Sequence, residues 1–195
     1  MPVSYTNRKG MTYTLYRGQT KTGKPRYYFG LPDQGQSEPV TELPRGFTIS
    51  ESVNGVVSLV KDHPAQILPQ EVEAVEAAVK RHPEAHRYRV AVRGNRIEVY
   101  EQVGPDYNAL VSDLHIPGLS GLSEELRALE ECYARFTPVL RFALLDRARR
   151  LFGVQRMSSY GGIDGWLELG QTGPVAKLAC AIIPILGTEQ FYELW

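Results

Sequence analysis

Hydrophobic and polar residues alternate in several short stretches of the chain, and this two-residue period predicts β-strands with one buried side. The clearest case covers residues 86–102, where a Gly94-Asn95 turn separates two alternating segments. A second tight turn is predicted at Asn54-Gly55, because these residues tolerate the positive φ angles that such turns need. The pattern predicts four hairpins, over residues 12–29, 47–60, 86–102 and 139–154.

Hydrophobic residues recur every three or four positions in three further segments, which is typical of amphipathic helices. Pro69 opens the first helix, Ser123 caps the second, and Pro184 shortens the third. These helices are predicted over residues 69–81, 123–136 and 175–186. The tight turns between strands leave no room for parallel crossovers. We therefore expect an α+β fold with a mainly antiparallel sheet, built from β-hairpins that alternate with single amphipathic helices.

Two connecting segments interrupt this order. Residues 31–45 are polar, contain three prolines and predict an exposed loop, and Pro25 before them is expected at the start of a strand. The connection over residues 104–121 contains Gly, Pro and Ser residues. It would divide an N-terminal hairpin-rich lobe with one helix, residues 1–103, from a C-terminal helix-hairpin-helix lobe, residues 122–195. The 195 residues, 43% of them hydrophobic, also fit one single domain.

Basic and acidic side chains, 22 of each, cancel over the whole chain but are separated along it. Residues 1–32 carry six basic residues and no acidic one, whereas residues 33–76 carry eight acidic residues and two basic ones. A net charge of zero argues against a protein wholly devoted to nucleic acid, yet this separation predicts a patchy surface. The alternative is that blocks of opposite charge face each other in the fold.

Targeting and redox signals are weak. No apolar run reaches the roughly 18 residues needed to cross a bilayer, and the first residues lack the apolar stretch of a secretory signal, so we expect a cytoplasmic protein. Cys132 and Cys180 lie within predicted helices, where a free cysteine is expected to behave as a small buried hydrophobic residue.

Motifs for catalysis or cofactors are missing from the sequence. The four histidines show no metal-binding spacing, and His82 and His86 are expected to be solvated or to cap a helix. The chain has no phosphate-binding loop and no nucleophile elbow, so we predict no metal, no cofactor and no catalytic residue. Glu98-Val-Tyr100 stands where a metal-dependent nuclease has Glu-x-Lys, and Glu98 is expected on the solvent side of its hairpin.

The strongest local signal is the segment 17–29, in which basic residues are interleaved with aromatic ones. Basic side chains can contact phosphates while exposed aromatic rings stack on nucleobases, and each stacked base contributes about 1–3 kcal/mol. The predicted nucleic-acid-binding residues are Arg8, Lys9, Tyr16, Arg17, Lys21, Lys24, Arg26, Tyr27 and Tyr28. The alternative is structural, because alternate aromatic residues can face the core while Lys and Arg protect an edge strand from aggregation. A second basic ribbon, which either extends this surface or pairs with the acidic helix, comprises Arg141, Arg147, Arg149, Arg150 and Arg156.

Several short motifs are spread along the chain: Arg8-Lys-Gly10, Lys21-Thr-Gly-Lys-Pro-Arg-Tyr-Tyr-Phe29, residues 49–59 around Asn54-Gly55, Arg141-Phe, Arg150-Leu-Phe, Ile163-Asp-Gly-Trp166 and Leu186-Gly. With these motifs the chain resembles a family of uncharacterised bacterial hypothetical proteins with a KTGKPRYYF-type N-terminal ribbon. The similarity extends over most of the length. The resemblance implies no activity, cofactor or catalytic residue, so it assigns no role to particular positions.

Together these features favour a protein that acts by binding and not by catalysis, through a basic, aromatic N-terminal β-ribbon. Its predicted partner is either nucleic acid or an acidic protein surface, and not a membrane. One alternative is a small hydrolase with a site between the two lobes near residues 104–121, where Asp113 and His115 could meet. Another is a structural or assembly module whose apolar C-terminal end packs on another subunit. That end comprises Phe191, Leu194 and Trp195.

Overall fold

The computed structural model describes residues 1–31, 37–104, 132–160 and 163–193. It confirms the predicted α+β class with mainly antiparallel sheets. The chain groups into two units, which are the described residues of Met1–His63 with Gly104–Arg135, and those of Pro64–Val103 with Phe136–Trp195. Residues 64–103 thus group with the C-terminal strands, whereas the predicted lobes place them with the N-terminal hairpins. From residue 105 onward, the predicted connection lies outside the described residues.

The first unit is built from short strands. They are β1 (Ser4–Thr6), β2 (Thr12–Gln19), β3 (Pro25–Gly30), β4 (Glu38–Pro39), β5 (Phe47–Glu51) and β6 (Val57–Lys61). β3 pairs along one side of the central strand β2, and β1 and β4 share its other side. β5 and β6 form a separate antiparallel pair. Both predicted hairpins are confirmed and β3 begins at Pro25, but the predicted loop over residues 31–45 contains the short strand β4.

Three hairpin turns of this unit share one construction. In each, the N–H of a glycine donates to the carbonyl of the residue three positions earlier. The side-chain oxygen of that earlier residue accepts the N–H of the residue after the glycine. Each glycine takes a φ between 74° and 77°, a conformation that costs glycine little because it has no Cβ. The paired residues are Asn7 with Gly10, Thr20 with Gly23, and Ser52 with Gly55.

Strand β1 and the β1–β2 turn are attached to the β5–β6 hairpin by three hydrogen bonds. Asn7 is buried, and its Nδ2 donates to the carbonyl of Gly55 at 2.7 Å. The hydroxyl of Tyr5 and the backbone N–H of Arg8 both donate to the carboxylate of Glu51, at 2.9 and 2.8 Å. These bonds fix the position of the turn at which β2 begins.

The described residues of the second unit form one five-stranded sheet and three α-helices. Its elements are α1 (Pro69–Lys80), β7 (Tyr88–Arg93), β8 (Arg96–Val103), β9 (Arg135–Asp146), β10 (Leu151–Tyr160), β11 (Ile163–Gly173), α2 (Val175–Ile182) and α3 (Glu189–Tyr192). The sheet order is β11-β10-β9-β8-β7. The predicted hairpins over 86–102 and 139–154 are confirmed, and β11 adds a strand that the sequence does not predict. The predicted helix over 123–136 lies outside the described residues up to residue 131 and is wrong at its end, because β9 begins at Arg135.

One face of this sheet packs against α1 and α2 to form the core. All five strands contribute buried side chains to it, among them Phe142 and Phe152, which are completely buried. The predicted apolar stripe of the last long helix is buried as expected, at Val175, Leu178, Ala179, Ile182 and Leu186. Phe191 of α3 is also buried, as predicted for a docked C-terminal segment, while Leu194 and Trp195 lie outside the described residues.

Candidate nucleic-acid interface

The β2–β3 turn presents two lysines to solvent. The Thr20 hydroxyl accepts the N–H of Lys24 at 3.1 Å and lies 3.0 Å from the hydroxyl of Thr22. The N–H of Thr20 donates to the carbonyl of Lys24 at 2.9 Å and closes the turn. Because these hydrogen bonds close the turn, the side chains of Lys21 and Lys24 project from a defined loop, and both residues are exposed.

Four exposed basic side chains surround this end of the hairpin, which we call the ribbon tip: Arg17, Lys21, Lys24 and Arg26. None of the four side chains forms a hydrogen bond or an ion pair with another residue that the structure describes. Arg17 and Arg26 lie near the ends of neighbouring strands, opposite Tyr27 and Gly18 respectively. The four cations are therefore available to an anionic ligand, although the exposed carboxylate of Glu38 stands opposite Arg17 in the strand register.

The aromatic residues of the hairpin divide between its two faces. Tyr16 and Tyr28 are direct cross-strand neighbours whose rings stack with centroids 5.9 Å apart. Tyr16 is only 5% exposed, so its ring belongs to the core and is not open to a nucleobase. Tyr28 is half-buried, and its hydroxyl donates to Ser37 Oγ at 2.9 Å. Tyr27 is half-buried on the opposite face, beside Arg17.

Arg8 and Lys9 do not join the ribbon tip, because they lie in the β1–β2 turn at the other end of β2. That strand has eight residues, so its ends are about 23 Å apart at a rise of about 3.3 Å per residue. The guanidinium of Arg8 donates to the carbonyl of Ala134 at 2.9 Å, and Lys9 is half-buried. These two residues help to hold the turn in place.

A cavity of about 360 Å³ opens beside the ribbon tip. Its lining includes Arg17, Gln19, Pro25, Ser37 and Glu38. Glu38 of β4 is the register partner of Arg17, and its exposed carboxylate forms no hydrogen bond or ion pair with another described residue. Gln19 and Glu38 are not among the predicted site residues, because no sequence pattern in a two-residue strand indicates that it pairs with β2.

The second predicted basic ribbon does not form one surface. Arg150 is paired with Glu71 of α1 by two hydrogen bonds, one of them 2.8 Å long. Arg156 lies on the core side of the sheet and is buried, and its Nη1 donates to the carbonyl of Tyr192 at 2.6 Å. These two arginines are therefore structural.

The other three arginines of that ribbon have separate surroundings. The guanidinium of Arg141 lies 4.0 Å from the ring centroid of Trp166, and its Nε donates to the side chain of Gln155. Burial and the nearby guanidinium of Arg96 lower the pKa of Arg141. The exposed members are Arg147 and Arg149 in the β9–β10 turn, where Arg149 Nε lies 3.8 Å from Asp146 Oδ2.

Glu98 is buried, in contrast to its predicted place on the solvent side of the hairpin. It shares one side of β8 with Tyr100, whose hydroxyl donates to Glu98 Oε2 at 2.6 Å, and Arg93 Nε lies 3.7 Å from the same oxygen. Burial, followed by the hydrogen bond to Glu98, raises the pKa of Tyr100 to about 12. The prediction is wrong because β8 lies inside the sheet and is buried on both sides at this point.

His82 has a structural role in the second unit. Its ring is buried, with Nε2 3.2 Å from the carbonyl of Leu186, and its Nδ1 accepts the N–H of Glu84 at 3.1 Å. Because Nδ1 accepts a hydrogen bond, Nε2 is the nitrogen that donates to the carbonyl of Leu186. Across the described ranges, no three His, Cys, Asp or Glu side chains come together in a way that could hold a metal ion.

The cysteines are less buried than predicted. Cys180 is exposed, and Arg81 Nη2 donates to its Sγ at 3.6 Å. Cys132 is half-buried, and its thiol donates to the carbonyl of Lys9 at 3.5 Å. Asp113 and His115, the residues predicted for a hydrolase site, lie outside the described residues.

Comparison with family models, curated proteins and solved structures finds no match to this chain. The resemblance to a bacterial protein family therefore stays a prediction. Of the helices that the structure describes, none combines the length and the apolar character needed to cross a membrane.

Proposed function

We propose that this protein acts by binding single-stranded nucleic acid at the ribbon tip of its first unit. The observation that carries the proposal is the set of four exposed basic side chains, none of which forms an ion pair with a described residue. Two half-buried tyrosines of the same hairpin, Tyr27 and Tyr28, adjoin them. Cations for phosphates, with rings for bases, are the combination that single-strand binders use.

The electrostatic part of this binding is local. A chain with a net charge of zero has no strong overall field to attract a polyanion, so affinity has to come from contacts at the ribbon tip. Each phosphate that a basic side chain neutralises releases a condensed counterion, and binding therefore weakens as salt rises. The closed β2–β3 turn supports these contacts, because it holds Lys21 and Lys24 on a defined loop.

A single strand suits this surface better than a duplex does. Bases in a duplex are stacked on each other, whereas bases in a single strand can turn outward and stack on an aromatic ring. An acidic protein surface would use the same cations but has no need of the tyrosine rings. Nucleic acid is therefore the favoured partner, and an acidic protein becomes an outcome of the test. The expected cytoplasmic location belongs to the same proposal.

Fluorescence anisotropy of short labelled single-stranded and double-stranded DNA and RNA, at two salt concentrations, tests the proposal. We expect saturable binding that favours single strands and weakens with salt. The variant Lys21→Glu/Lys24→Glu/Arg26→Glu is expected to lose this binding. The variant Arg147→Glu/Arg149→Glu/Lys177→Glu is its control, because it changes three exposed basic residues of the second unit by the same charge.

Circular dichroism melting curves establish that both variants are folded. Equal loss of binding in the two variants would show that only net charge matters and would reject the ribbon tip as the site. Absence of binding to every oligonucleotide at low salt would reject the nucleic-acid proposal. The remaining candidate ligand for the basic side chains of the ribbon tip would then be an acidic protein surface.

A further inference from the structure

The cavity beside the ribbon tip contains an acidic side chain that phosphate binding does not explain. Glu38 is exposed, has no hydrogen-bond or ion-pair partner among the described residues, and is the register partner of the basic residue Arg17. A carboxylate in this position repels phosphates and weakens a surface that only binds the backbone of a nucleic acid. An ionised carboxylate is also a hydrogen-bond acceptor with two oxygens, so it can bind a group that offers two N–H donors.

We propose, on the basis of the proposed function, that this cavity binds one guanine base of the single strand and that Glu38 recognises it. Guanine presents N1–H and an N2 amino hydrogen side by side on its Watson–Crick edge, and these two donors match the two carboxylate oxygens. In adenine and cytosine the amino group stands beside a ring nitrogen that accepts hydrogen bonds and faces a carboxylate unfavourably. Thymine and uracil place their one N–H between two carbonyl oxygens.

The other residues that line the cavity can also contact a guanine nucleotide. The side-chain amide of Gln19 offers an N–H donor for guanine O6, and Pro25 offers an apolar surface for the ring. Arg17 lies next to Glu38, where its guanidinium can contact the phosphate of the bound nucleotide. The volume of about 360 Å³ is near the lower end of the range for ligand cavities, about 300–1,000 Å³, which suits a single base.

Anisotropy with fluorescein-labelled oligothymidylates that carry one central guanosine, adenosine, cytidine or inosine tests this inference. We expect the guanosine oligonucleotide to bind about tenfold more tightly than the adenosine or cytidine one, which is the discrimination typical of a two-point hydrogen bond to a base. Inosine keeps N1–H but lacks the N2 amino group, so its affinity should lie between them. The same series made of RNA shows whether the sugar contributes.

The variant Glu38→Gln tests whether Glu38 is responsible for the preference for guanosine. Replacing this exposed side chain is expected to leave the fold intact and to abolish the preference for guanosine. Affinity for plain oligothymidylate should stay constant or rise, because a negative charge has been removed. Glu42→Gln is the matched control, since Glu42 is an exposed carboxylate of the same unit that does not line the cavity.

The outcomes separate this inference from the proposed function. Equal affinity for all four central bases, or a guanosine preference that survives in Glu38→Gln, overturns the guanine site while binding at the ribbon tip stands. If no oligonucleotide binds at all, the proposed function fails and the guanine site fails with it.

Discussion

Glu71 and Arg150 form a two-point ion pair between the first turn of α1 and the turn that joins β9 to β10. Arg150 Nε donates to Glu71 Oε1 at 2.8 Å, and Arg150 Nη2 donates to the second carboxylate oxygen. The same carboxylate accepts the N–H of Leu68 at 2.8 Å and so caps the helix, and only 9% of the Glu71 side chain is exposed. One carboxylate therefore joins the start of a helix to a strand pair that is distant in sequence.

Removing this carboxylate is expected to destabilise the protein. We expect Glu71→Ala to lower the free energy of unfolding by about 2 kcal/mol, because hydrogen bonds to charged groups contribute about 1.5–3 kcal/mol and Arg150 keeps part of its hydration. Urea unfolding followed by circular dichroism measures the change. An unfolding midpoint equal to that of the unchanged protein would show that the ion pair is not stabilising.

The backbone at Arg150 allows a second test of the same turn. Its φ is 52°, in the left-handed region where a side chain is unfavourable. Arg150→Ala and Arg150→Gly both lose the ion pair, but only the glycine variant relieves the backbone. We therefore expect Arg150→Gly to unfold at the higher urea concentration of the two. The reverse order would show that the backbone at this position carries no strain.

The Glu71 carboxyl also predicts how stability depends on pH. Burial acts to raise its pKa, but the hydrogen bonds from Arg150 and Leu68 and the charge of Arg150 outweigh burial, so the pKa of Glu71 lies below its ordinary value of 4.5. A lowered folded-state pKa contributes stability that is fully present above the unfolded-state pKa and is lost as pH falls through the folded-state pKa.

We therefore expect the stability difference between the unchanged protein and Glu71→Gln to be constant at neutral pH. It should shrink as pH falls below about 4.5, where the carboxyl begins to take up a proton in the unfolded state. Urea midpoints of both proteins over this pH range give the difference directly. A difference that grows on acidification would contradict the sign of this pKa shift.

The number of phosphates in contact with the ribbon tip is also measurable. For a single strand, the logarithm of affinity falls against the logarithm of salt concentration with a slope of about −0.7 per neutralised phosphate. Four basic side chains therefore predict a slope of about −3. We expect Lys24→Ala to make the slope shallower by about 0.7. Arg8→Ala should leave the slope unchanged, since Arg8 lies at the other end of β2, and an equal change in both variants would contradict the placement of the site.

Sequence patterns predict hairpins and helices well in this chain, because the exposed and buried sides of each element leave a visible period. The alternation over residues 86–102 and the apolar stripe of α2 are examples. β11 is not predicted because Gly165, Gly170 and Gly173 interrupt its alternation, and glycines at such spacing are typical of loops. The hydrophobic period of a segment indicates which of its side chains are buried, and it does not predict the element where glycines interrupt the pattern.

The candidate site is only partly predictable for a related reason. The basic residues of the ribbon tip are close in sequence, so their proximity in the fold can be predicted without knowledge of the strand pairing. The separate position of Arg8, the buried ring of Tyr16 and the proximity of Glu38 depend on strand pairing. Likewise, the acid that neutralises Arg150 lies 79 residues away, a distance that no local pattern spans.

The three matching hairpin turns predict an order of stability among glycine variants. Alanine at Gly10 or Gly23 meets no heavy atom within 4 Å, so each change should cost only the backbone strain of a positive φ, about 1 kcal/mol. At Gly55 the new methyl group would also lie 3.3 Å from the side chains of Asn7 and Lys9. Gly55→Ala should therefore be the most destabilising of the three in urea unfolding. Equal destabilisation by the three variants would show that the contact between the β1–β2 turn and the β5–β6 turn does not contribute to stability.

Tyr100 predicts a distinct behaviour at high pH. Because burial and the hydrogen bond to Glu98 raise its pKa to about 12, it stays protonated above the ordinary tyrosine value of 10.0. A pKa raised by folding contributes stability that is fully present below the unfolded-state value and is lost as pH rises through the folded-state value. The folded protein should therefore lose stability between about pH 10 and pH 12.

Ultraviolet titration of the tyrosines tests this assignment. We expect a late ionisation phase in the unchanged protein, and Tyr100→Phe should remove part of it. The remaining late phase includes Tyr88, whose pKa is raised by burial, and Tyr5, whose pKa is raised by its hydrogen bond to Glu51. At neutral pH the same variant should lose about 1–2 kcal/mol of stability, because Glu98 keeps its buried carboxylate but loses a hydrogen-bond donor. A late phase unchanged in Tyr100→Phe would mean that Tyr100 ionises together with the other tyrosines and is not held by Glu98.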